Sequence, residues 1–296
     1  MNKIVVGSRD SVLAVMQTEL VIQEIKQHNP TMEIELKTFK TTGDKILDKT
    51  LDKIGGKGLF VKELDQALLN GQIDIAVHSL KDVPMEENKE LPIVAVTKRG
   101  DPRDVLVYPE GKGKGKAVEE CLIGSSSFRR RIQLQALYPS VKVEPVRGNI
   151  QTRLRKLDEG QFDGILLAAA GLKRANLEHR ISRPFSVEEL LPAAGQGILV
   201  IQARKELDCS FLSKVCDPET MIAAQAERAF VRKLDGGCSS PVAAYAEVHG
   251  EEVHLTGLYY KESTGEFLKE STTGKAKDAN QLGEALARNM RTKYGQ

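Results

Sequence analysis

Tryptophan is absent from this 296-residue sequence, aromatic residues make up only 5% of it, and cysteine occurs just four times. The cysteines, at positions 121, 209, 216 and 238, include no Cys-x-x-Cys pair, which excludes the common zinc and dithiol motifs. No apolar run is long enough to cross a bilayer, and the N-terminal apolar stretch is too short for a secretory signal. We therefore expect a cytoplasmic protein with free thiols and no membrane contact.

A strong charge of either sign is also lacking. The chain has 43 Lys and Arg residues against 41 Asp and Glu residues, a formal net charge of +2. Such a balance argues against a general polyanion binder, so any basic site has to be local. His249 and His254 are five residues apart, which is no metal-ligand spacing, and we expect no metal site. The length predicts two or three domains, which leaves room for a cleft between them.

Short apolar segments alternate with helical patterns through the first two thirds of the sequence. Residues 4–7 predict a buried strand that ends in a turn with Ser and Arg and is followed by a helix, and residues 122–130 repeat that arrangement. This alternation is typical of an α/β protein with parallel sheets. From Asp217 and Pro218, a predicted helix start, the pattern changes to three strand-like segments before a C-terminal helix. These last elements predict a smaller α+β unit.

Basic residues recur at the predicted strand-to-helix turns. In open α/β sheets, ligands bind beyond the carboxyl ends of the strands, where helix N-termini add backbone N–H donors. Arginine can bind a carboxylate by donating two parallel hydrogen bonds, so several arginines together can bind a substrate with more than one acidic arm. Any one of these residues alone is better interpreted as a solvated surface charge, but their repeated placement favours an anion site. The set comprises Arg9, Lys53, Lys57, Lys81, Arg129, Arg130, Arg147 and Arg153.

Two further side chains are candidates for chemistry. Asp82 directly follows an apolar strand segment, where a carboxylate can face a cleft and stabilise a cation or move a proton. Most loop aspartates only cap helices or contact water, so the spacing alone leaves this role open. Cys238 lies in the loop 235–241, whose glycines keep the thiol accessible. Most free cysteines are buried apolar residues, as we expect for the other three, so a structural Cys238 stays the alternative.

Three N-terminal segments and five later ones carry a resemblance to a known family. The first three are Gly7-Ser8-Arg9-Asp10-Ser11, the stretch 53–63 (KIGGKGLFVKE) and the stretch 74–84 (DIAVHSLKDVP). The later ones, in the same order as in that family, are residues 124–130, 146–153, 167–174, 192–197 and 235–241. Together they resemble porphobilinogen deaminase, also called hydroxymethylbilane synthase. The resemblance covers nearly the whole chain, and only the Gly-Lys repeat at 111–116 and the C-terminal strands and helix match loosely.

The resemblance implies a transferase that joins four porphobilinogen molecules head to tail, with loss of ammonia, to give hydroxymethylbilane for tetrapyrrole and heme synthesis. It implies a dipyrromethane cofactor, made from substrate and held by a thioether to Cys238, to which the product stays attached until hydrolysis. Asp82 would be the catalytic carboxylate, which stabilises positive charge on a pyrrole nitrogen as ammonia leaves. The partner would be porphobilinogen, and the enzyme would be a monomer that binds neither nucleic acid nor membrane.

The same resemblance assigns the remaining binding residues. Those implied for the cofactor are Ser11, Lys81, Asp82, Ser127, Arg129, Arg130, Arg147 and Gly148, together with Cys238. Those implied for the acetate and propionate arms of the substrate are Arg9, Ser11, Lys53, Lys57, Arg153, Arg174 and Gln196. The assignments agree with the charge of the ligand, because each porphobilinogen brings two carboxylates that arginine and lysine at helix N-termini can offset.

The fold that the resemblance implies has two α/β domains, similar to periplasmic binding proteins, around a cleft. A smaller C-terminal α+β domain would carry the cofactor cysteine. The predicted boundaries are 1–98 with 196–216 for the first domain, 99–195 for the second and 217–296 for the third. The return of residues 198–216 to the first domain is implied by the resemblance alone.

Two other functions fit part of the sequence. A non-catalytic binding protein for a carboxylated molecule would use the same arginines in a two-lobed cleft but would leave Cys238 without a role. A protein mass without any covalent adduct, together with an absence of catalytic turnover, would support such a binding protein. Nucleic-acid binding through Lys112, Lys114, Lys116 and the run 129–131 is disfavoured by the low aromatic content and the balanced charge. An absence of salt-sensitive oligonucleotide binding would exclude it.

Overall fold

The computed structural model describes residues 3–45, 58, 61–86, 88–111, 117–236 and 241–295. Three of the predicted site residues, Lys53, Lys57 and Cys238, lie outside these residues. Most of the Gly-Lys repeat does as well. Among the helices that are described, none is long and apolar enough to cross a membrane.

Strands and short helices alternate along the described chain. The described strands are β1 (Lys3–Arg9), β2 (Glu33–Phe39), β3 (Ile75–Ser79), β4 (Ile93–Val96), β5 (Asp104–Val107), β6 (Leu122–Gly124), β7 (Lys142–Glu144), β8 (Gly164–Ala168), β9 (Arg183–Pro184), β10 (Leu199–Ala203), β11 (Ala243–His249), β12 (Glu252–Lys261) and β13 (Glu266–Lys275). The described α-helices are α1 (Val12–His28), α2 (Thr42–Lys45), α3 (Lys62–Leu69), α4 (Phe128–Leu137), α5 (Ile150–Asp158), α6 (Ala169–Arg174), α7 (Pro218–Lys233) and α8 (Ala279–Tyr294).

The first sheet has the order β2-β1-β3-β10-β4 and, with α1 and α3, forms what we call the first lobe. β1 pairs in parallel with β2 and β3, whereas β10 runs antiparallel to β3 and β4. Helix α1 packs on one face, where Val21 and Ile25 join Val6 in a buried core. Helix α3 covers the other face with Leu64 and Leu68. Helices on both faces let the sheet bury its apolar residues on either side.

The second sheet has the order β7-β6-β8-β5-β9 and, with α4, α5 and α6, forms the second lobe. β6 is parallel to β7 and β8, while β5 is antiparallel to β8 and β9. Leu154 of α5 packs with Val105 in the core of one face. Leu134 of α4 packs with Leu106 in the core of the other. The two lobes are therefore built on the same plan, as the repeated strand, turn and helix pattern predicted.

The expectation of purely parallel sheets is wrong for β5 and β10. The chain crosses between the lobes at residues 97–103 and again at 185–198, so both strands start at the sheet edge where β3 and β8 end. A strand that starts at this edge has to run against strands that end there. The predicted fold class, two α/β lobes with a smaller α+β unit, is confirmed. The domain boundaries stay a prediction.

The C-terminal unit packs α7 and α8 on the antiparallel sheet β11-β12-β13. Its first helix begins as predicted, since the Asp217 side chain accepts a hydrogen bond from the Thr220 backbone N–H at 2.7 Å and Pro218 takes the first helical position. Phe230 of α7 lies directly against Gly257 of β12, where an added Cβ would meet the ring at 2.3 Å. The unit is thus held by close packing between one helix and the middle strand.

A buried ion pair joins the crossing segments to the C-terminal unit. Glu227 of α7 is fully buried, and its carboxylate accepts hydrogen bonds from Arg99 at 2.5 Å and 3.2 Å. The same carboxylate accepts from the backbone N–H groups of Gly195 at 2.7 Å and Ala246 at 2.8 Å. Arg99 lies on the first crossing and Gly195 on the second. One side chain therefore fixes both connections against the unit that carries the loop 235–241.

We predict that Glu227→Gln lowers the free energy of unfolding by about 3–5 kcal/mol, because it leaves the guanidinium of Arg99 buried without a charged partner. Urea unfolding followed by circular dichroism measures this change. Glu284→Gln, which removes an exposed pair with Arg288 on α8, is the control and is expected to change stability by less than about 0.5 kcal/mol. Equal losses in the two variants would contradict the role assigned to Glu227.

Candidate active site

A cavity of about 610 Å³ lies between the two lobes, at the edge where their parallel strands end. Its walls come from the turns after β1 and β3, from the turns before α5 and α6, and from the second crossing segment. Ten of the predicted site residues line it: Arg9, Ser11, Lys81, Asp82, Arg130, Arg147, Gly148, Arg153, Arg174 and Gln196. The structure therefore brings these predicted residues together in one cavity, and their roles stay a prediction.

The first lobe contributes its residues from the ends of two adjacent parallel strands. Arg9 ends β1, and Ser11 precedes the first residue of α1. Lys81 and Asp82 belong to the short 3₁₀ turn Leu80–Asp82 that follows β3. Because β1 and β3 are neighbours, their carboxyl ends bring these side chains to one edge of the sheet.

The second lobe holds its cations in a turn that glycine makes possible. Gly148 has φ of +116°, a backbone conformation that side chains rarely adopt, and Asn149 caps α5 by accepting from the Thr152 N–H at 2.8 Å. Arg153 donates from Nε to the Gly148 carbonyl oxygen at 2.7 Å. Lys156 donates to the carbonyl oxygen of Arg147, the residue before this glycine, at 3.3 Å. Both cations are therefore anchored to the turn by neutral acceptors.

The neighbouring residues Arg129 and Arg130 point to different places. Ser127 caps α4 by accepting from the Arg130 N–H at 3.4 Å, and it does not line the cavity. Arg130 reaches the cavity, whereas the buried Arg129 donates to Asp104 and to the Leu191 carbonyl oxygen, both at 2.7 Å. The structure thus places Ser127 and Arg129 behind the wall that Arg130 forms.

The second crossing segment forms one rim of the cavity. Arg174 donates from Nη2 to the Gly197 carbonyl oxygen at 2.6 Å. Gln196 donates from Nε2 to the Pro102 carbonyl oxygen at 2.6 Å and to Asp104 at 2.9 Å. These hydrogen bonds tie the second crossing to the first crossing and to α6, so the rim is fixed relative to both lobes.

The described walls of the cavity carry a large excess of positive charge. Burial lowers the pKa of Lys81, and the nearby charge of Arg130 adds to this effect while Asp82 opposes it. Burial also lowers the pKa of Arg153 to about 10, helped by the charges of Arg130 and Arg147. The acidic lining residues are Asp10 and Asp82, and the basic ones are Arg9, Lys40, Lys81, Arg130, Arg147, Arg153, Lys156 and Arg174. Anions are the ligands that such a wall stabilises.

Sequence reasoning missed Lys40, Asn149 and Lys156, which also line the cavity. The rule that ligands bind beyond strand ends would have found Lys40, because it directly follows β2. Lys156 is three residues after Arg153 and so lies on the same face of α5. Asn149 lies within the segment 146–153 that carries the resemblance, and its residue type and its position before α5 are those of a helix N-cap.

Comparison with protein families identifies the family of the chain. Residues 4–210 match the family model described as "Porphobilinogen deaminase, dipyromethane cofactor binding domain". Residues 221–292 match the model of the porphobilinogen deaminase C-terminal domain. The chain belongs to the porphobilinogen deaminase family. This confirms the predicted family, the prediction of a porphobilinogen deaminase enzyme, and dipyrromethane as the cofactor.

Porphobilinogen deaminases of several organisms are similar to this chain over nearly their whole length. The protein of Alkaliphilus oremlandii is 57% identical over 293 residues, which cover 98% of this chain and 97% of that protein. The protein of Ruminiclostridium josui is 54% identical over 292 residues, which cover 99% of both. Among solved structures, the periplasmic aliphatic sulphonate binding protein of Escherichia coli covers 79% of this chain and 71% of that one, at 15% identity and a TM-score of 0.42. That last likeness is too remote to support an inference.

The residues of the cavity fit the cofactor of the porphobilinogen deaminase family. A dipyrromethane made from substrate has two pyrrole rings, each with an acetate and a propionate arm. Such a group needs several cations within one cleft, and Lys81, Arg130, Arg147 and Arg153 are present there with only two carboxylates among the described lining residues. The excess of buried positive charge at Arg153 and its neighbours is the structural observation that this polyacid would balance.

We predict that, in protein without bound cofactor, Arg153→Met raises the melting temperature by about 2–4 °C, the shift for about 1 kcal/mol, because it removes a buried charge that Arg130 and Arg147 repel. The same variant is expected to bind carboxylated ligands more weakly. Arg155→Met on the same helix is the control: Arg155 is 63% exposed and pairs with Glu159, so its loss should change neither property. Calorimetric scans and ligand titrations measure both, and a destabilised Arg153→Met with normal affinity would contradict the prediction.

Proposed function

We propose that this chain is a hydroxymethylbilane synthase, a transferase that condenses four porphobilinogen molecules head to tail with loss of ammonia. The observation that carries the proposal is the placement of Asp82 within a cavity whose other described charges are almost all positive. A wall of cations binds the acidic arms of the substrate, and one carboxylate remains to interact with the positive charge that develops at the reacting pyrrole.

The positive charges that line the cavity complement the acidic arms of the substrate. Each porphobilinogen brings two carboxylates, so an elongating product gains two negative charges with every addition. Arginine binds such groups through paired hydrogen bonds, and several arginines can do so at once. We assign the substrate to Arg9, Ser11, Lys53, Lys57, Arg153, Arg174 and Gln196, and the cofactor arms to Ser11, Lys81, Arg130, Arg147 and Gly148, with Asp82 facing the cofactor rings and with Ser127 and Arg129 supporting Arg130.

Asp82 is the catalytic residue in this proposal. In each condensation a carbon–nitrogen bond breaks as ammonia leaves, and a carbon–carbon bond forms to the next pyrrole, which then loses a proton. Positive charge develops on pyrrole nitrogen in between, and a carboxylate beside it lowers the free energy of that state. Asp82 and Lys81 line the cavity wall in the short turn after β3. We assign an acidic arm to the cation and the reacting ring to the carboxylate.

Cys238 is the proposed attachment point of the dipyrromethane cofactor, which supplies the primer on which the product is built. Attachment forms a sulfur–carbon bond and breaks a carbon–nitrogen bond, and the thiol proton leaves with ammonia. The residue lies outside the described part of the chain, but its loop follows α7 directly. The base of the loop is held by Asp235, which accepts from Arg291 of α8 at 2.9 Å.

We also propose that the enzyme acts as a cytoplasmic monomer with porphobilinogen as its partner. The described cysteines Cys121, Cys209 and Cys216 are free thiols, which suits a reducing compartment. The large apolar side chains exposed among the described residues, Val12, Leu20, Leu69 and Leu137, belong to three different helices. This distribution favours a monomer over a dimer that buries one apolar face.

We predict that Cys238→Ser abolishes cofactor attachment, because an alcohol is a much weaker nucleophile than a thiol at neutral pH. Intact-mass spectrometry of the purified proteins should show the dipyrromethane adduct on wild type and its absence from the variant. Cys209→Ser, which removes a partly buried thiol elsewhere, is the control and should keep the adduct. An adduct of normal mass on Cys238→Ser would overturn the attachment, and a wild type with neither adduct nor turnover would indicate a binding protein instead.

We predict that Asp82→Asn keeps the fold and the covalent cofactor but lowers kcat by about 100-fold or more, the usual effect of losing a catalytic carboxylate. Steady-state assays of porphobilinogen consumption and ammonia release measure the change. Asp10→Asn, at the other acidic residue that lines the described cavity, is the matched control and should have a much smaller effect. Near-normal turnover in Asp82→Asn would remove this residue from the mechanism.

A further inference from the structure

Asp104 is a fully buried carboxylate at the first position of β5, where the chain has just crossed from the first lobe. Its Oδ2 accepts a hydrogen bond from Arg129 Nη1 at 2.7 Å. Its Oδ1 accepts from Arg130 Nε at 3.0 Å and Nη2 at 2.7 Å, and from Gln196 Nε2 at 2.9 Å. One side chain thus receives four hydrogen bonds from three residues.

Two of the four residues in this cluster line the cavity and two do not. Arg130 and Gln196 line the cavity, whereas Arg129 and Asp104 itself are not among its described lining residues. Arg130 comes from α4 of the second lobe, and Gln196 from the segment that crosses back to the first lobe. Asp104 therefore lies behind the wall of the cavity and connects two of its side chains that belong to separate parts of the chain.

The charges of this cluster leave one cation for the ligand. Burial acts to raise the pKa of Asp104, but the charges of Arg129 and Arg130 outweigh it and hold the pKa below its usual range. The carboxylate is therefore ionised at neutral pH. The cluster of one carboxylate and two guanidinium groups therefore carries a net positive charge. Arg130 is the arginine of the cluster that lines the cavity.

The remaining hydrogen bonds of the cluster fix its geometry. Arg130 donates from Nη1 to the Leu166 carbonyl oxygen at 3.1 Å, and Arg129 donates to the Leu191 carbonyl oxygen at 2.7 Å. Each arginine is therefore held both by the carboxylate and by the backbone. With the Nε and Nη2 groups of Arg130 both engaged by Asp104, the orientation of its guanidinium plane is set from behind.

We infer that Asp104 is a positioning residue, which fixes the guanidinium of Arg130 in the orientation that binds a carboxylate arm in the cleft and holds Gln196 in place at the rim beside it. The inference rests on the proposed function, since it concerns the same ligands. Asp104 itself does not line the described cavity. It acts through Arg130, which does, and through the rim that Gln196 forms.

The first test is Asp104→Glu, which keeps the charge but moves the carboxylate by one methylene group. We expect KM for porphobilinogen to rise about 10- to 100-fold, the equivalent of one lost charge-assisted hydrogen bond, with a smaller change in kcat. The covalent cofactor should remain by intact mass. Asp101→Glu is the matched control, because that carboxylate pairs with Arg103 and Lys173 outside the described lining of the cavity. A wild-type KM in Asp104→Glu would overturn the inference.

The second test separates positioning from charge neutralisation. Asp104→Asn leaves two guanidinium groups together without their carboxylate and should lower the melting temperature, whereas the double variant Asp104→Asn with Arg129→Gln removes one charge of each sign. We expect the double variant to recover the melting temperature while KM stays raised, because nothing then orients Arg130 and Gln196. Recovery of a wild-type KM would show that Asp104 only balances charge and would overturn the inference. If either variant fails to fold, Asp104→Glu decides alone.

Failure of the proposed function would look different from failure of this inference. Wild-type protein without turnover would refute the condensation of porphobilinogen, whatever the variants do. Calorimetric titration of porphobilinogen into wild type and Asp104→Glu then tests the positioning role without catalysis. A Kd at least tenfold weaker in the variant supports the role, and an equal Kd excludes it.

Discussion

The structure depends on holding several like charges close together in a cleft that is partly closed to water. Arg130, Arg147 and Arg153 lower the free energy of a bound polyacid, but without it they repel one another. The fold limits this repulsion without cancelling the charge. Arg153 and Arg174 are held by backbone carbonyl oxygens, at Gly148 and Gly197, which accept hydrogen bonds and leave the full positive charge for a ligand. Neutral acceptors thus position the cations, and carboxylates are used sparingly.

The chain path explains how one cleft can receive side chains from so many segments. Because β5 and β10 each begin at the edge where the parallel strands end, both crossings lie at the same edge of the sheets as the cavity, and the second crossing lines it. The crossings then need a fixed position, and two buried carboxylates supply it. Asp104 binds Gln196 of the second crossing from within the second lobe, and Glu227 binds both crossings from the C-terminal unit. The C-terminal unit, which carries the proposed attachment loop, is therefore connected to the cavity through the two crossing segments.

The sequence predicted what local patterns decide and missed what distant contacts decide. The strand-to-helix turns and the helix start at Asp217 follow from neighbouring residues, and ten residues predicted from such patterns and from the family resemblance line the cavity. No local signal separates Arg129 from Arg130, since both are basic and adjacent, and their different directions come from Asp104 and from the carbonyl of Leu191. The direction of β5 and β10 was beyond a strand-by-strand interpretation, because it depends on which lobe the chain has just left.

A cleft of this kind has a consequence for the proposed reaction. Each added ring brings two carboxylates, so attraction to the same cations grows with chain length, and attraction alone would hold the longer products anywhere along the wall. In the proposed reaction a covalent anchor solves a different problem from affinity: it keeps the growing chain in the cleft between additions, at high effective concentration near Asp82. The cations then bind the arms, and the carboxylate interacts with the charge that appears at the reacting ring. Arg130 and Gln196 have to keep their positions while successive rings are added. The hydrogen bonds from both side chains to the buried Asp104 therefore matter as much as the positive charge that lines the cavity.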